Sequence, residues 1–274
     1  MIFNCMYIAK TVQSQKKKFV SQIIRTLNAM EVIDLKKEKN KQYEAPKTHA
    51  DLPQLSFVMC ISGPRGTGKS LLIRNLLLRK DMLKKVFGKP NYIIIISPSL
   101  QNGDYDEIKM GGHVFKIEEY SHDIIDNLIG QQKAIIAKHG RKKTPEILLV
   151  LDDVLDSGAL NFHSSVEKVF SRGRHVNINC ILVSQHLNRI SKTMRINSDY
   201  IAAFRPNNMT ELENMYEQFI PKRYWWGMNE YLKNMWDNNR YQFLFVDFKT
   251  HDSNRRFREG FSKPIILDEL PKKK

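Results

Sequence analysis

Phe57-Val58-Met59-Cys60-Ile61-Ser62-Gly63-Pro64-Arg65-Gly66-Thr67-Gly68-Lys69-Ser70 joins an apolar run to a glycine-punctuated loop. From Gly63 onward it matches G-x-x-x-x-G-K-[ST] at every fixed position. The glycines let the backbone curl so that successive N–H groups face one phosphate chain. A helix is expected to open at Ser70 and run to about Lys80, with Leu71, Leu72, Leu76 and Leu77 available for burial. Its free N–H groups and positive dipole end favour an anion. Lys69 places a point charge near the β and γ phosphates, and the Ser70 hydroxyl is a hard ligand for Mg²⁺. Gly63, Pro64, Arg65, Gly66, Thr67, Gly68, Lys69 and Ser70 are therefore the candidate residues for binding ATP.

A second apolar run, Ile147–Asp152, ends in two carboxylates, Asp152 and Asp153. In α/β sheets, ligands gather at the carboxyl ends of the strands. Asp152 is expected to hold Mg²⁺ with Ser70. Asp153, pointing elsewhere because strand side chains alternate, is expected to orient or deprotonate a water. A third run, Ile181–Ser184, delivers the amide of Gln185 to the same kind of position. Just before it, Ser171-Arg172-Gly173-Arg174-His175 offers two arginines to a neighbouring subunit's phosphates.

Around these motifs, apolar runs alternate with helical patterns, as in βαβ units with a mainly parallel sheet flanked by helices. Strands are expected at 92–97, 113–117, 200–204 and 241–247. Helices are expected from His122 to Lys138, capped by Ser121, and from Phe162 to Ser171. Thr210 and Glu213 fit a capping box for a helix reaching Phe219, before Pro221. The ATPase domain is expected over residues 51–250. A basic N-terminal extension (1–50), with a helix over Lys16–Met30, precedes it, and a basic tail (251–274) follows.

Net charge is +15, of which residues 1–50 carry +6 and residues 249–274 carry +4. Basic ends around a milder body suit a polyanionic partner. The loop His139–Lys143 and the segments His186–Arg195 and Lys222–Trp226 are further candidates for touching it. The three cysteines lie far apart, two of them inside apolar runs, which points to free thiols in a reducing compartment. No apolar stretch approaches the ~20 residues of a membrane span. At the start of the chain the charges follow the apolar residues, the wrong order for a secretory signal.

The set GPRGTGKS, then LLVLDD, then SRGRH leading into ILVSQ, resembles the DNA-packaging ATPases of large nucleocytoplasmic DNA viruses, relatives of the FtsK–HerA group. The resemblance covers roughly residues 55–250. It implies a RecA-like ASCE P-loop NTPase fold, with an extra strand between the phosphate-loop strand and the Asp-Asp strand. It implies a homo-oligomeric ring around double-stranded DNA, acting with viral capsid components in the virion or at cytoplasmic assembly sites of the host. It also assigns a role in trans to Arg174, with Arg172 as the alternative, and nucleotide sensing to Gln185. Many ASCE relatives carry Glu where this chain has Asp153, one methylene shorter. Two rival readings are another DNA-dependent ATPase, such as a helicase, and a nucleotide-binding capsid protein without activity.

Overall fold

The computed structural model describes residues 51–154 and 162–272, with the side chains of 162–164 left aside. The expected basic extension, including the helix over Lys16–Met30, lies outside the described residues.

Nine strands form one sheet in the order β3-β2-β4-β5-β1-β6-β7-β8-β9. They are β1 (Val58–Ser62), β2 (Tyr92–Ile96), β3 (Val114–Ile117), β4 (Ile147–Asp152), β5 (Ile178–Ser184), β6 (Tyr200–Phe204), β7 (Phe243–Asp247), β8 (Phe257–Glu259) and β9 (Lys263–Pro264). Strands β1 to β6 pair in parallel, and β7, β8 and β9 add antiparallel at one side. The helices are α1 (Lys69–Leu78), α2 (His122–His139), α3 (Phe162–Arg172), α4 (Lys192–Asn197), α5 (Met209–Phe219) and α6 (Trp225–Asn238).

Side chains alternate along each buried strand, so the sheet needs cover on both faces. Met59 and Ile61 of β1, with Leu148 and Val150 of β4, pack against Leu72, Ile73, Leu76 and Leu77 of α1. Val58 and Cys60, with Leu149 and Leu151, face the core shared with α2, α3, α5 and α6. Cys60 and Cys180 are both free and fully buried. Burial pushes the Cys60 thiol up to about 12.

The expected extra strand is present: β5 pairs with β1 on one side and with β4 on the other. Asn179, fully buried within β5, pins this arrangement. Its Oδ1 accepts from the Phe57 N–H at 2.9 Å, and its Nδ2 donates to the Glu146 carboxylate at 2.8 Å. One side chain thereby ties together the entries of three neighbouring strands.

Several expectations need correction. Leu71 is 46% exposed, and Ile73 takes the buried position on α1 instead. The cap of α5 is Asn208, whose side chain accepts from the Glu211 N–H at 2.8 Å, rather than Thr210 with Glu213. Glu211, at the position a capping-box acid would hold, is occupied by His186 at 2.5 Å. Helices α4 and α6 were not expected, and β7 begins at Phe243, leaving Tyr241 outside it. The sheet also continues past residue 250, where a tail was expected. Arg258 of β8 is 1% exposed, donating to Asp247 at 2.9 Å and to the Phe261 carbonyl at 2.7 Å. Among the described residues no helix is long and apolar enough to cross a membrane.

Replacing Asn179 with Ala leaves the Phe57 N–H without its partner and Glu146 without its donor. Each unsatisfied buried group costs about 1–3 kcal/mol. We therefore expect Asn179→Ala to lower unfolding free energy by about 2–4 kcal/mol. Urea denaturation measures it, and a loss below about 0.5 kcal/mol would show that the entries of β1 and β4 do not depend on this amide.

Candidate nucleotide site

Parallel register sets the geometry of the site. Ser62 pairs with Ser184, and Asp152 with Val183, so β1, β5 and β4 end along one edge of the sheet. The Gly63 N–H donates to the Ser184 carbonyl at 3.2 Å, launching the loop from that edge. A Cβ on Gly63 would stand 2.6 Å from the Cβ of Phe204, so no larger residue fits there. Gly68 has φ +104 and is the residue from which α1 departs. No side chain caps α1. Its first N–H groups therefore remain for a ligand, as an anion site at a helix N-terminus requires. The Lys69 ammonium is folded onto the loop, donating to the Gly63 carbonyl at 2.7 Å and the Pro64 carbonyl at 2.9 Å. Thr67 closes the same turn by donating to the Pro64 carbonyl at 2.8 Å.

Asp152 is 2% exposed and accepts from the Tyr105 hydroxyl at 2.5 Å. Burial holds the pKa of this phenol well above the usual value, and the Ser70 side chain lies near enough to pull it the other way. One tyrosine thus stands beside both expected Mg²⁺ ligands. The sequence carried no signal for it, since Tyr105 sits in a polar loop, Gly103–Asp106, without a motif. Burial pushes the Asp152 carboxyl up to about 6; the Tyr105 hydrogen bond and Lys69 oppose this, while Asp153 and Asp104 add to it. Lys69 is pushed down from its ordinary value by burial, with Asp153 and Asp152 pulling the other way.

Asp153 diverges from Asp152 for a reason other than the expected strand alternation. Strand β4 ends at Asp152, and Asp153 turns into the left-handed region at φ 52. Its Oδ2 accepts from Gln185 Nε2 at 3.3 Å, while its Oδ1 is buried without a protein partner. An unpartnered buried carboxylate oxygen beside a lysine suits a site that takes water or a cation. Among the described residues no cluster of three or more His, Cys, Asp or Glu could hold a metal. A divalent cation fits here through Ser70 and Asp152 as hard oxygen donors, completed by phosphate oxygens and water, as Mg²⁺ prefers.

Lys69, Ser70, Asp152, Asp153 and Gln185 therefore meet at one edge. Arg174 and Arg172 do not. Arg174 is exposed in a 3₁₀ turn before β5, close enough to Asp199 to lower that carboxyl's pKa against the larger, opposite effect of burial. Asp199 itself binds the N–H of Val58, at the entry of β1. The seven residues of β5 separate the two edges, roughly 20 Å at about 3.3 Å per residue. The Arg174 carbonyl accepts from Arg141 of the basic loop, which also donates to Asn177 at 2.9 Å.

The profile of the poxvirus A32 protein family matches residues 45–223. The chain belongs to that family. A Frog virus 3 protein, 015R, is 26% identical over 76% of this chain and 63% of its own length. Protein 075L of Invertebrate iridescent virus 6 is 31% identical over 59% of this chain and 60% of its own. The DNA packaging protein OPG160 of Variola virus is 26% identical over 60% of this chain and 58% of its own. The chain thus spans about 60% of the length of the curated relatives it matches. Among solved structures, the DNA-packaging ATPase B204 of Sulfolobus turreted icosahedral virus superposes with a TM-score of 0.55 at 17% identity. That match covers 76% of this chain and 98% of B204, and it extends the α/β fold reading to most of the described residues.

The raised pKa of Asp152 gives a stability prediction. A carboxyl held above its ordinary 3.8 contributes stability below that pH, and the contribution is lost as pH rises through about 6. At pH 8 the wild-type chain carries a buried charge worth roughly 3 kcal/mol of instability. Asp152→Asn keeps the acceptor for Tyr105 and removes that charge. Without nucleotide or Mg²⁺, the variant is expected to melt several degrees above wild type at pH 8, with the gap closing below about pH 4. A variant that melts lower at pH 8 would mean that Asp152 is already compensated.

Proposed function

We propose that the chain is an ATP-hydrolysing motor that moves double-stranded viral DNA into a capsid, working as a ring of identical subunits. The observation that carries this is the meeting of Lys69, Ser70, Asp152, Asp153 and Gln185 at one sheet edge, beside an uncapped helix N-terminus. The relatives named for DNA packaging support the direction of the reading.

In this account the loop N–H groups from Gly63 to Ser70 wrap the triphosphate. Lys69 exchanges its two loop carbonyls for β- and γ-phosphate oxygens. Ser70 and Asp152 would hold Mg²⁺, whose charge would offset the charge developing on the phosphates. Tyr105 keeps Asp152 in place until that exchange. Asp153 orients the attacking water and takes its proton, and the Gln185 amide, bonded to the same carboxylate, reports whether the γ-phosphate is present. Arg174 lies too far from its own loop to serve it, so it acts on the ATP of a neighbouring copy. Basic side chains of the segment before residue 51 bind DNA phosphates without reading sequence, so affinity falls steeply with salt. The complex acts in the virion or at cytoplasmic assembly sites.

Phosphate release in the presence of intact duplex tests the reading. Lys69→Ala is expected to lose both ATP binding and turnover, because it removes the charge facing the phosphates. Asp153→Asn is expected to bind Mg²⁺–ATP normally but turn over about 10²-fold more slowly. Duplex DNA should stimulate the wild type without strand separation. Wild-type turnover by Lys69→Ala would end the nucleotide reading, and displacement of a paired strand would make the protein a helicase.

A further inference from the structure

Across β1 from the two aspartates lies a planar pair of side chains that the proposed chemistry leaves unused. Strand β7 runs antiparallel to β6, so the segment feeding it arrives at the same edge as the phosphate loop. Arg240 Nη2 donates to the Gly66 carbonyl at 2.9 Å. Its guanidinium lies over the Tyr241 ring, 5.0 Å from the centroid. The Tyr241 ring reaches so close to Gly68 that a Cβ there would stand 3.2 Å from its Cδ1. Yet Tyr241 remains 51% exposed, one of the few large apolar side chains that are. Among the described residues no carboxylate pairs with Arg240.

The geometry points to Arg240 and Tyr241 as the subsite that receives the base of the bound nucleotide. This rests on the nucleotide reading of the loop. Lys69, Asp153 and Gln185 fix the γ end of a bound triphosphate on the β5–β4 side. The chain of phosphates must then leave the loop on the other side of β1, where β6 and β7 lie. There it meets an exposed aromatic ring backed by a guanidinium, a flat surface of the kind on which any base stacks. The uncompensated charge of Arg240, held at the loop by Gly66, suits the phosphate and ribose end of the same ligand. Because stacking tolerates every base, the subsite is expected to accept other purine triphosphates as well as ATP.

Isothermal titration of the full chain with two probes tests this: ATP, and inorganic tripolyphosphate, which has phosphates but no base. Tyr241→Ala is expected to weaken ATP about 10-fold or more while leaving tripolyphosphate affinity unchanged. Tyr241→Phe, which keeps the ring, is expected to bind both as wild type does. Melting without ligand checks that each variant is folded, and Tyr241→Phe carries the test if Tyr241→Ala is not: a 10-fold loss of ATP in the Phe variant would overturn stacking. Equal loss of both probes in folded Tyr241→Ala would make Tyr241 a mere support for Gly68, and no loss of either would remove it from the site. In both cases the phosphate-loop reading survives. Failure of the wild-type chain to bind either probe would overturn that reading and this subsite together.

Discussion

The register of β5 between β1 and β4 is the constraint on which the site depends. Side-chain period in a strand is two, so a slip of one residue would send every buried side chain of β5 to the opposite apolar layer. It would also move Ser184 away from Ser62, and Val183 away from Asp152. Asn179 holds this register through hydrogen bonds to the residues that enter β1 and β4. Gln185 can then reach Asp153, and Gly63 can leave the sheet against Ser184. Arg174, in the turn that leads into β5, lies at the opposite edge from its own loop.

The edge where these strands end is assembled against stability. Asp152 is buried and its pKa raised; Asp153 adopts φ 52 and leaves one oxygen unpartnered; Lys69 is buried against loop carbonyls. Strained backbone and undersatisfied charge are tolerated in a fold when the surroundings over-determine them, and they gather where ligands bind. Here the surroundings are two apolar layers, one under α1 and one under α2, α3, α5 and α6. Tyr105, beside Ser70, donates to Asp152 and satisfies that carboxylate until a cation arrives.

Much of this was legible in the sequence because it rests on local patterns. Alternating runs such as Ile147–Asp152 report strands covered on both faces, and Gly63–Ser70 fixes the turn from strand to helix. What escaped depends on tertiary partners. Tyr105 gains its role only when its loop folds over β4, and no spacing announces that. The cap of α5 was misplaced because Asn208 and Thr210 are both good caps, and Glu211 is engaged by His186 from another segment. The residues after 250 look like a basic tail because Arg258 reads as a surface cation. Its burial against Asp247, Asp51 and the Phe245 ring is visible only in three dimensions. Tyr241, expected inside the last strand, lies just outside it and against the phosphate loop.

In the proposed ring, the Asp152–Asp153 edge of one chain is completed by the Arg174 edge of another. Wild-type phosphate release per subunit, followed through a dilution series alongside the oligomeric state, tests it most directly. Specific activity is expected to fall as assemblies separate and to reach the level of undiluted Arg174→Ala, while ATP binding per chain stays constant. Specific activity that holds steady down to the monomer would contradict it, because a lone chain would then need nothing from a neighbour.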